Sequence, residues 1–306
     1  MVRPGYPPPV LRSGTPPPEV AALARALGGG LEPELLFGIG GGTGFGRFLY
    51  GPVVTLLTRI TTSENDREGF LGNACRRLGV PYRLQVASSE PALLKRLQIA
   101  LAGGRIPVLW VNGETLPWPS FPKAYHAVAV LALDADRARV DDGEERTLPL
   151  DVLLAASRTP GARHRTLVVE GPPSRPLEAA IHDGLAAHLA QMWEGFGPVA
   201  VRAKLGLAGL TGWARTVLED NVRGEDLGAQ ILMRGGGPAM RLAQARFLEL
   251  AGNSQAAGTA REAAAAWAVL GNALLLGRAT ATQVAALRDA EQASLETIER
   301  AFQIRV

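Results

Sequence analysis

Residues 125–143 read Tyr125-His126-Ala-Val-Ala-Val-Leu-Ala-Leu-Asp-Ala-Asp-Arg-Ala-Arg-Val-Asp141-Asp142-Gly143, and this stretch decides the fold of the first half of the chain. A histidine opens a run of small apolar and β-branched residues, a short polar turn follows, and a second strand pattern ends on two aspartates. This pattern predicts a β-hairpin. Because the outer ends of a hairpin lie side by side, we expect the His126 imidazole and the Asp142 carboxylate to meet.

Two interpretations of this hairpin are open from the residues alone. A carboxylate that fixes the tautomer of a histidine is half of a nucleophilic triad. A buried strand pair with a histidine at its rim and two solvated turn aspartates is the structural alternative, and the spacing by itself favours that alternative. The choice between them depends on what the rest of the chain supplies.

The composition is that of a globular protein with one large domain or two ordinary ones, since 47% of the 306 residues are hydrophobic and 20% are charged. No apolar run approaches the roughly 18 residues of a membrane span, and the first residues do not resemble a signal peptide. We therefore expect a cytoplasmic protein without a membrane partner. The single cysteine, Cys75, excludes an internal disulfide framework and a cysteine-built metal site.

The charge pattern excludes a dedicated nucleic-acid binder. The formal net charge is only +3, and the arginines are spread along the chain without a basic tract or a basic helix with interleaved aromatic residues. A mildly positive surface favours an acidic partner. The three other histidines show no metal-ligand spacing, so we expect neither a metal nor a cofactor.

Periodicity predicts an α+β domain over residues 1–171 and an all-helical domain over residues 172–306, with the boundary in the segment Gly171-Pro-Pro-Ser-Arg-Pro176. In the first part, helices are predicted at 16–27 (with Thr15 as N-cap), 32–36, 67–78, 88–101 and 148–157, and strands at 53–60, 83–87, 106–111 and 166–169. In the second part, helices are predicted at 177–193, 209–221, 238–251, 259–276 and 280–302.

A glycine-rich segment, Phe37-Gly-Ile-Gly-Gly-Gly-Thr-Gly-Phe-Gly46, lies early in the chain. It has no register with the G-x-G-x-x-G spacing, and Arg47 stands where a Walker loop requires lysine followed by serine or threonine. A loop in which two segments pack closely is therefore favoured over a phosphate site. The second glycine cluster, at 235–237, precedes a predicted helix, and an interhelical turn is favoured there over an anion site.

Several of these landmarks, in this order, resemble the family named for the N-terminal domain of butirosin biosynthesis protein H, together with the helical domain that usually follows it. The matching pieces are the segment from Phe37 to Phe45, Leu116-Pro117-Trp118, His126-Ala-Val-Ala-Val with Asp142, and the segment from Gly235 to Leu248. The resemblance implies a papain-like cysteine-peptidase fold for the first domain. It also implies transfer of an acyl group from a carrier-protein thioester to an amine.

The resemblance further implies a Cys–His–Asp triad, in which His126 and Asp142 match the second and third members. At the first position the chain has Arg12-Ser13, so Ser13 replaces the cysteine. A serine hydroxyl is far less acidic than a thiol, so no resting ion pair forms and His126 would act as a true general base. Cys75 lies in the middle of a predicted helix, where we expect a packing role.

Two functions follow from these observations. The first is an acyltransferase-like enzyme of antibiotic or other natural-product biosynthesis, which transfers or cyclises a carrier-protein-bound acyl or aminoacyl group without a catalytic cysteine. Ser13, His126 and Asp142 are its expected catalytic residues, and Gly40, Gly41, Gly42 and Trp118 are expected to line the substrate. The alternative is a catalytically degenerate member that binds a carrier protein, a partner subunit or a second copy of itself. Retention of His126 and Asp142 favours the enzyme, whereas loss of the cysteine and the prolines at 16–18 favour the degenerate member.

Overall fold

The computed structural model describes residues 17–50, 53–57, 69–118, 125–195, 205–219, 227–228, 231–232 and 237–305. They form two compact units. The sheet unit contains the described residues of 17–40 and 69–180, and the helical unit contains those of 41–57 and 181–305. The helical unit thus takes a segment from the first half of the chain, which a single boundary at residue 171 did not include. That boundary itself stays a prediction.

The elements follow one another in this order: α1 (Pro18–Ala26), α2 (Pro33–Ile39), β1 (Gly46–Tyr50), β2 (Val53–Leu57), α3 (Gly69–Leu78), β3 (Tyr82–Val86), α4 (Glu90–Ala102), β4 (Val108–Asn112), a 3₁₀ turn (Gly113–Thr115), β5 (Tyr125–Leu133), β6 (Arg137–Asp141), β7 (Glu145–Pro149), α5 (Leu150–Arg158), β8 (Arg165–Val169), α6 (Leu177–Trp193), α7 (Gly206–Glu219), α8 (Gly237–Leu250), α9 (Ser254–Leu275) and α10 (Ala281–Phe302). The fold is therefore mixed, with strands in the first part and a helical C-terminal part.

The sheet unit is built on a six-stranded sheet with the order β3-β8-β4-β5-β6-β7, in which every neighbouring pair is antiparallel. The predicted hairpin is confirmed as β5 and β6, and His126 lies opposite Val111 of β4. The remaining two strands, β1 and β2, form a separate antiparallel pair in the helical unit.

Alternation along the strands gives the six-stranded sheet two different faces. One face carries Val128, Val130 and Val140, which are buried in the main core cluster together with residues of α4 and α5. His126 shares this face, because it lies two residues before Val128. The same alternation directs Asp142, two residues after Val140, to this face.

Helix α1 covers the opposite face. It packs against β4 and β5, where the fully buried side chains of Ala127 and Ala129 leave room for a close helix. Asp141 lies opposite Ala129 in the register, and its Oδ2 is 3.5 Å from Nε of Arg25 on α1. The two adjacent aspartates therefore point to opposite faces of the sheet, and only Asp142 lies on the histidine side.

The helical unit has a core that is both aromatic and charged. Phe45, Trp213 and Trp267 are fully buried, and their ring centroids lie 6.0–6.2 Å apart. Beside them, Arg241 Nε donates to Glu291 Oε1 at 2.6 Å, and the Trp267 indole N–H donates to the same oxygen. No helix in the described part of the chain combines the length and the apolar character needed to cross a membrane.

The structure corrects four details of the sequence-based assignment. Residues 37–39 of the predicted glycine loop are helical and complete α2, because only the glycines after Ile39 break the helix. Two strands were missed: β1, which directly follows that loop, and β7, which occupies the start of the helix predicted at 148–157. Helix α1 begins at Pro18 with Pro17 before it, so the prediction of Thr15 as its N-cap was wrong.

Candidate functional site

His126 and Asp142 lie together at one end of the β5–β6 hairpin. His126 is the second residue of β5, and Asp142 stands in the turn that follows β6, where its backbone N–H donates to the Glu144 carbonyl at 3.1 Å. His126 Nε2 is 3.0 Å from Asp142 Oδ1, and each side chain is 5% exposed. This distance lies within the range of about 2.6–3.2 Å expected for a histidine and the carboxylate that orients it, but the two groups are not aligned for a hydrogen bond, so the contact is a close ion-pair approach.

The proximity of the carboxylate favours one tautomer of the ring. A carboxylate oxygen can only accept a hydrogen bond. The proton of a neutral imidazole is therefore favoured on Nε2, the nitrogen that faces Asp142. Nδ1 is then the nitrogen that can take a proton from a reacting group. When it does so, the Asp142 carboxylate stabilises the resulting imidazolium without moving, which is the role of the third member of a triad.

Trp118 completes the environment of the carboxylate. Its indole Nε1–H donates to Asp142 Oδ2 at 2.7 Å, and its partly buried side chain packs against the core cluster of the sheet unit. Asp142 thus has a neighbour at each oxygen: Oδ2 accepts the tryptophan hydrogen bond, and Oδ1 lies close to the histidine. The role of Trp118 in lining a substrate, expected from the sequence, stays a prediction.

Arg146 is the residue near this site that the sequence did not reveal. Its guanidinium carbon lies 5.1 Å from the centroid of the Trp118 ring, and its Nη2 donates to Glu144 Oε2 at 2.9 Å. Arg146 belongs to β7, the strand that the sequence analysis missed. Its alternation with the buried Leu148 was the available signal, but the charged residues around it made the segment resemble a loop.

The glycines expected to line a substrate have packing roles in the structure. Gly40 ends α2, and a Cβ there would lie 2.5 Å from the ring of Phe70, a neighbour in the sheet unit. Gly42, in the helical unit, has a φ of 62°, and a Cβ there would overlap the Gln244 amide. These packing contacts explain why glycine stands at positions 40 and 42. Gly41, like Gly42, has a positive φ, at 118°, which favours glycine. Their contact with a substrate stays a prediction.

Ser13, the expected nucleophile, lies outside the described residues. Cys75 is fully buried on α3, where most residues of the helix are also buried, as expected for a packing residue. Among the described residues, no group of three or more histidine, cysteine, aspartate or glutamate side chains has the geometry to hold a metal ion.

The other two buried histidines make contacts of a structural kind. His164 Nδ1 lies 2.9 Å from the Ser157 hydroxyl, which itself donates to the Leu154 carbonyl, so this serine is not activated by the histidine. His188 Nδ1 donates to the Thr43 carbonyl at 2.8 Å. Burial lowers the pKa of His188 to about 4, and the Arg241 cation adds to this effect, against the opposing influences of the Thr43 carbonyl and Glu291.

Comparison with known proteins gives one family. A family model described as butirosin biosynthesis protein H, N-terminal, matches residues 19–143. A search of curated proteins finds no significant match. The matched segment includes Trp118 and His126 and ends one residue after Asp142, whereas Ser13 precedes it. Residues 19–143 of this chain are therefore similar to the butirosin biosynthesis protein H N-terminal domain family.

Proposed function

We propose that this protein is a biosynthetic enzyme of an antibiotic or other natural-product pathway and that it acts on an acyl or aminoacyl group bound as a thioester to a carrier protein. The match of residues 19–143 to a family named for butirosin biosynthesis supports the pathway class. The reaction is transfer of the acyl group to an amine or closure of a ring, on a domain of papain-like fold. The protein works in the cytoplasm, with a small-molecule acceptor as its second substrate.

The observation that carries this proposal is the contact between His126 and Asp142. Nε2 and Oδ1 lie 3.0 Å apart at the end of a rigid hairpin, and both side chains are shielded from water. A structural rim histidine with solvated turn aspartates, the alternative considered from the sequence, would leave the carboxylate exposed. In the structure Asp142 faces His126 and Asp141 faces Arg25, so the two neighbouring aspartates have different partners.

The proposed chemistry uses His126 as a proton carrier. The nucleophile, either the acceptor amine or the Ser13 hydroxyl, attacks the thioester carbonyl and gives its proton to Nδ1 of His126. The tetrahedral intermediate then collapses, the C–S bond breaks, and the carrier thiolate leaves and takes the proton from His126. Asp142 stabilises the imidazolium between the two transfers. If Ser13 attacks first, the same cycle repeats with the amine attacking the serine ester and the hydroxyl leaving.

The second candidate is a binding module that performs no chemistry. The 5% exposure of the His126 and Asp142 side chains favours it, since a buried ion pair can be purely structural. In that case the domain binds a carrier protein, a partner subunit or a second copy of itself. The two candidates predict different results in one assay.

That assay follows release of thiol from an acyl-pantetheine thioester in the presence of an amine. His126→Ala should lower the rate by about 10²–10⁴-fold, which is the usual contribution of general acid–base catalysis. Ser13→Ala discriminates between the two mechanisms. A comparable loss indicates a covalent serine ester, and a near-normal rate indicates that His126 activates the amine directly.

His182→Ala is the matched control, because His182 is exposed on α6 and should leave the rate unchanged. Circular dichroism verifies that each variant is folded. Should the folded His126→Ala variant release thiol as fast as the parent protein, or should the parent show no reaction above the uncatalysed rate, the enzyme proposal fails. Binding of the carrier protein would then be measured with both variants.

A further inference from the structure

The Asp142 carboxylate is held from two directions. Oδ1 lies 3.0 Å from His126 Nε2, and Oδ2 accepts the Trp118 indole N–H at 2.7 Å. An indole nitrogen is a donor only, so the direction of this hydrogen bond is fixed. The two partners come from different parts of the sheet unit: His126 from a strand and Trp118 from the loop after the 3₁₀ turn.

A carboxylate with a single partner can still rotate. The terminal torsion of an aspartate side chain has broad, roughly two-fold preferences, so one contact leaves the plane of the oxygens poorly defined. A second donor on the other oxygen fixes that plane. A hydrogen bond to a charged oxygen is also about twice as strong as one between neutral groups, so the Trp118 bond suits this task.

Trp118 is itself anchored on both sides. Leu116, two residues earlier, is buried in the core cluster of the sheet unit, and Trp118 packs against the same cluster. The Arg146 guanidinium lies over the ring, 5.1 Å from its centroid, and Glu144 holds that guanidinium. A cation over an indole face is attracted by the negative face of the ring, which helps to hold the ring in place. The indole therefore has a defined position before it meets the carboxylate.

We propose that Trp118 is a positioning residue of the site, which orients the Asp142 carboxylate so that Oδ1 keeps the His126 proton on Nε2 and leaves Nδ1 as the base. Arg146 supports it by holding the ring. This inference rests on the proposed function for its kinetic consequence, but its structural part, the control of the His126 tautomer, does not. Trp118 thus acts through Asp142 and His126 and needs no contact with the reacting atoms.

The test is Trp118→Phe, which keeps an aromatic face for Arg146 and removes the N–H. Nitrogen-15 NMR of the histidine rings reports the tautomer, and acyl-pantetheine turnover reports catalysis. We expect a single Nε2–H tautomer of His126 in the parent protein and a mixture of tautomers in Trp118→Phe. The value of kcat should fall about 10–100-fold with KM little changed, as is usual when a group that orients another is lost.

Trp110→Phe is the matched control. Trp110 lies on β4 opposite Ala127, so alternation places it on the other face of the sheet from His126. Its ring also carries an arginine, Arg165, at 5.6 Å from the centroid. The control removes an indole N–H from a similar pair in the same unit, and it should change neither the tautomer nor the rate.

The two readouts separate this inference from the proposed function. A His126 tautomer that is unchanged in Trp118→Phe overturns the positioning role, even if the protein is an active enzyme. A mixed tautomer in a protein without transferase activity supports the positioning role and refutes the enzyme. If Trp118→Phe fails to fold, Asp142→Asn replaces it: the Trp118 indole N–H resonance should shift in that variant, and an unchanged resonance overturns the proposal.

Discussion

Two buried histidines in this protein have opposite partners. His126, in the sheet unit, faces the Asp142 carboxylate, whereas His188, in the helical unit, donates from Nδ1 to the Thr43 carbonyl. A carboxylate stabilises a protonated imidazole, and a neutral carbonyl in a dry core does so only weakly. The pKa of His188 is accordingly lowered to about 4 by burial, so it stays neutral near pH 7.

The difference shows that burial alone does not distinguish a histidine that can hold a positive charge from one that stays neutral. Both residues are less than 10% exposed, and both have a partner within 3.0 Å. What differs is whether the partner can balance a positive charge. A histidine beside a carboxylate can accept and release a proton during a reaction, whereas His188 serves as a neutral hydrogen-bond donor that ties α6 to the glycine-rich loop. Three predictions test or refine this contrast.

The largest effect should come from the charged pair next to His188. Arg241 and Glu291 are 2% and 4% exposed and hydrogen-bonded to each other, so Glu291→Gln leaves a buried guanidinium without its counter-charge. We expect a loss of about 3–5 kcal/mol in the free energy of unfolding, measured by urea denaturation. Glu249→Gln is the control, because Glu249 pairs with Arg246 and Arg261 at the surface and should cause no measurable loss. Equal stability of the two variants would mean that the buried pair is not a structural element.

A smaller effect should appear in the pH dependence of stability. The pKa of His188 is about 4 in the folded protein and about 6.5 when unfolded, so the unfolded chain binds more protons between these values. The contribution of His188 to the free energy of unfolding is therefore fully present above pH 6.5 and is lost as the pH falls towards 4. Between pH 7 and pH 5 the loss is about 2 kcal/mol.

His188→Asn tests this dependence, because its amide can still donate to the Thr43 carbonyl but does not titrate. The free energy of unfolding is measured for both proteins at pH 7 and pH 5. The parent should lose about 2 kcal/mol more than the variant over this interval. Parallel losses would show that the pKa of His188 is not lowered in the folded protein, and the contrast with His126 would disappear.

The smallest effect should follow replacement of the only cysteine. Cys75→Ala removes a fully buried sulfur from α3, with an expected cost of about 1 kcal/mol in stability. Thiol release from the acyl thioester should stay within a few-fold of the parent rate, because the proposed chemistry uses His126 and no protein thiol. A large loss of turnover in a folded Cys75→Ala variant would indicate that the thiol, and not His126 with Asp142, carries out the chemistry.

The sequence predicted the elements that depend on local periodicity and missed those that do not. The β5–β6 hairpin and helix α6 were found because apolar residues repeat at the period of a strand or a helix within one continuous segment. Strand β7 lies at the edge of the sheet, where only Leu148 is fully buried, so its pattern is short and mostly polar. Strand β1 begins inside a glycine run, which is typical of a loop.

The candidate site likewise has one part that the sequence predicted and one part that it did not. The meeting of His126 with Asp142 was predictable because the hairpin itself brings its two ends together. The contribution of Trp118 was not, because its hydrogen bond to Asp142 depends on where the loop after β4 is anchored. Arg146 was missed together with the strand that carries it.

The sequence by itself thus determined the hairpin, the approach of His126 to Asp142 and the helical character of the C-terminal part, since each follows from the spacing of residues along a few turns or one strand pair. The tertiary structure alone decided which indole holds Asp142 and that His188 bonds to Thr43, 145 residues away. The physical reason is that periodicity records which side of an element is buried but not which distant segment covers it. That depends on how whole elements pack, and a contact between remote residues leaves no trace in their local spacing.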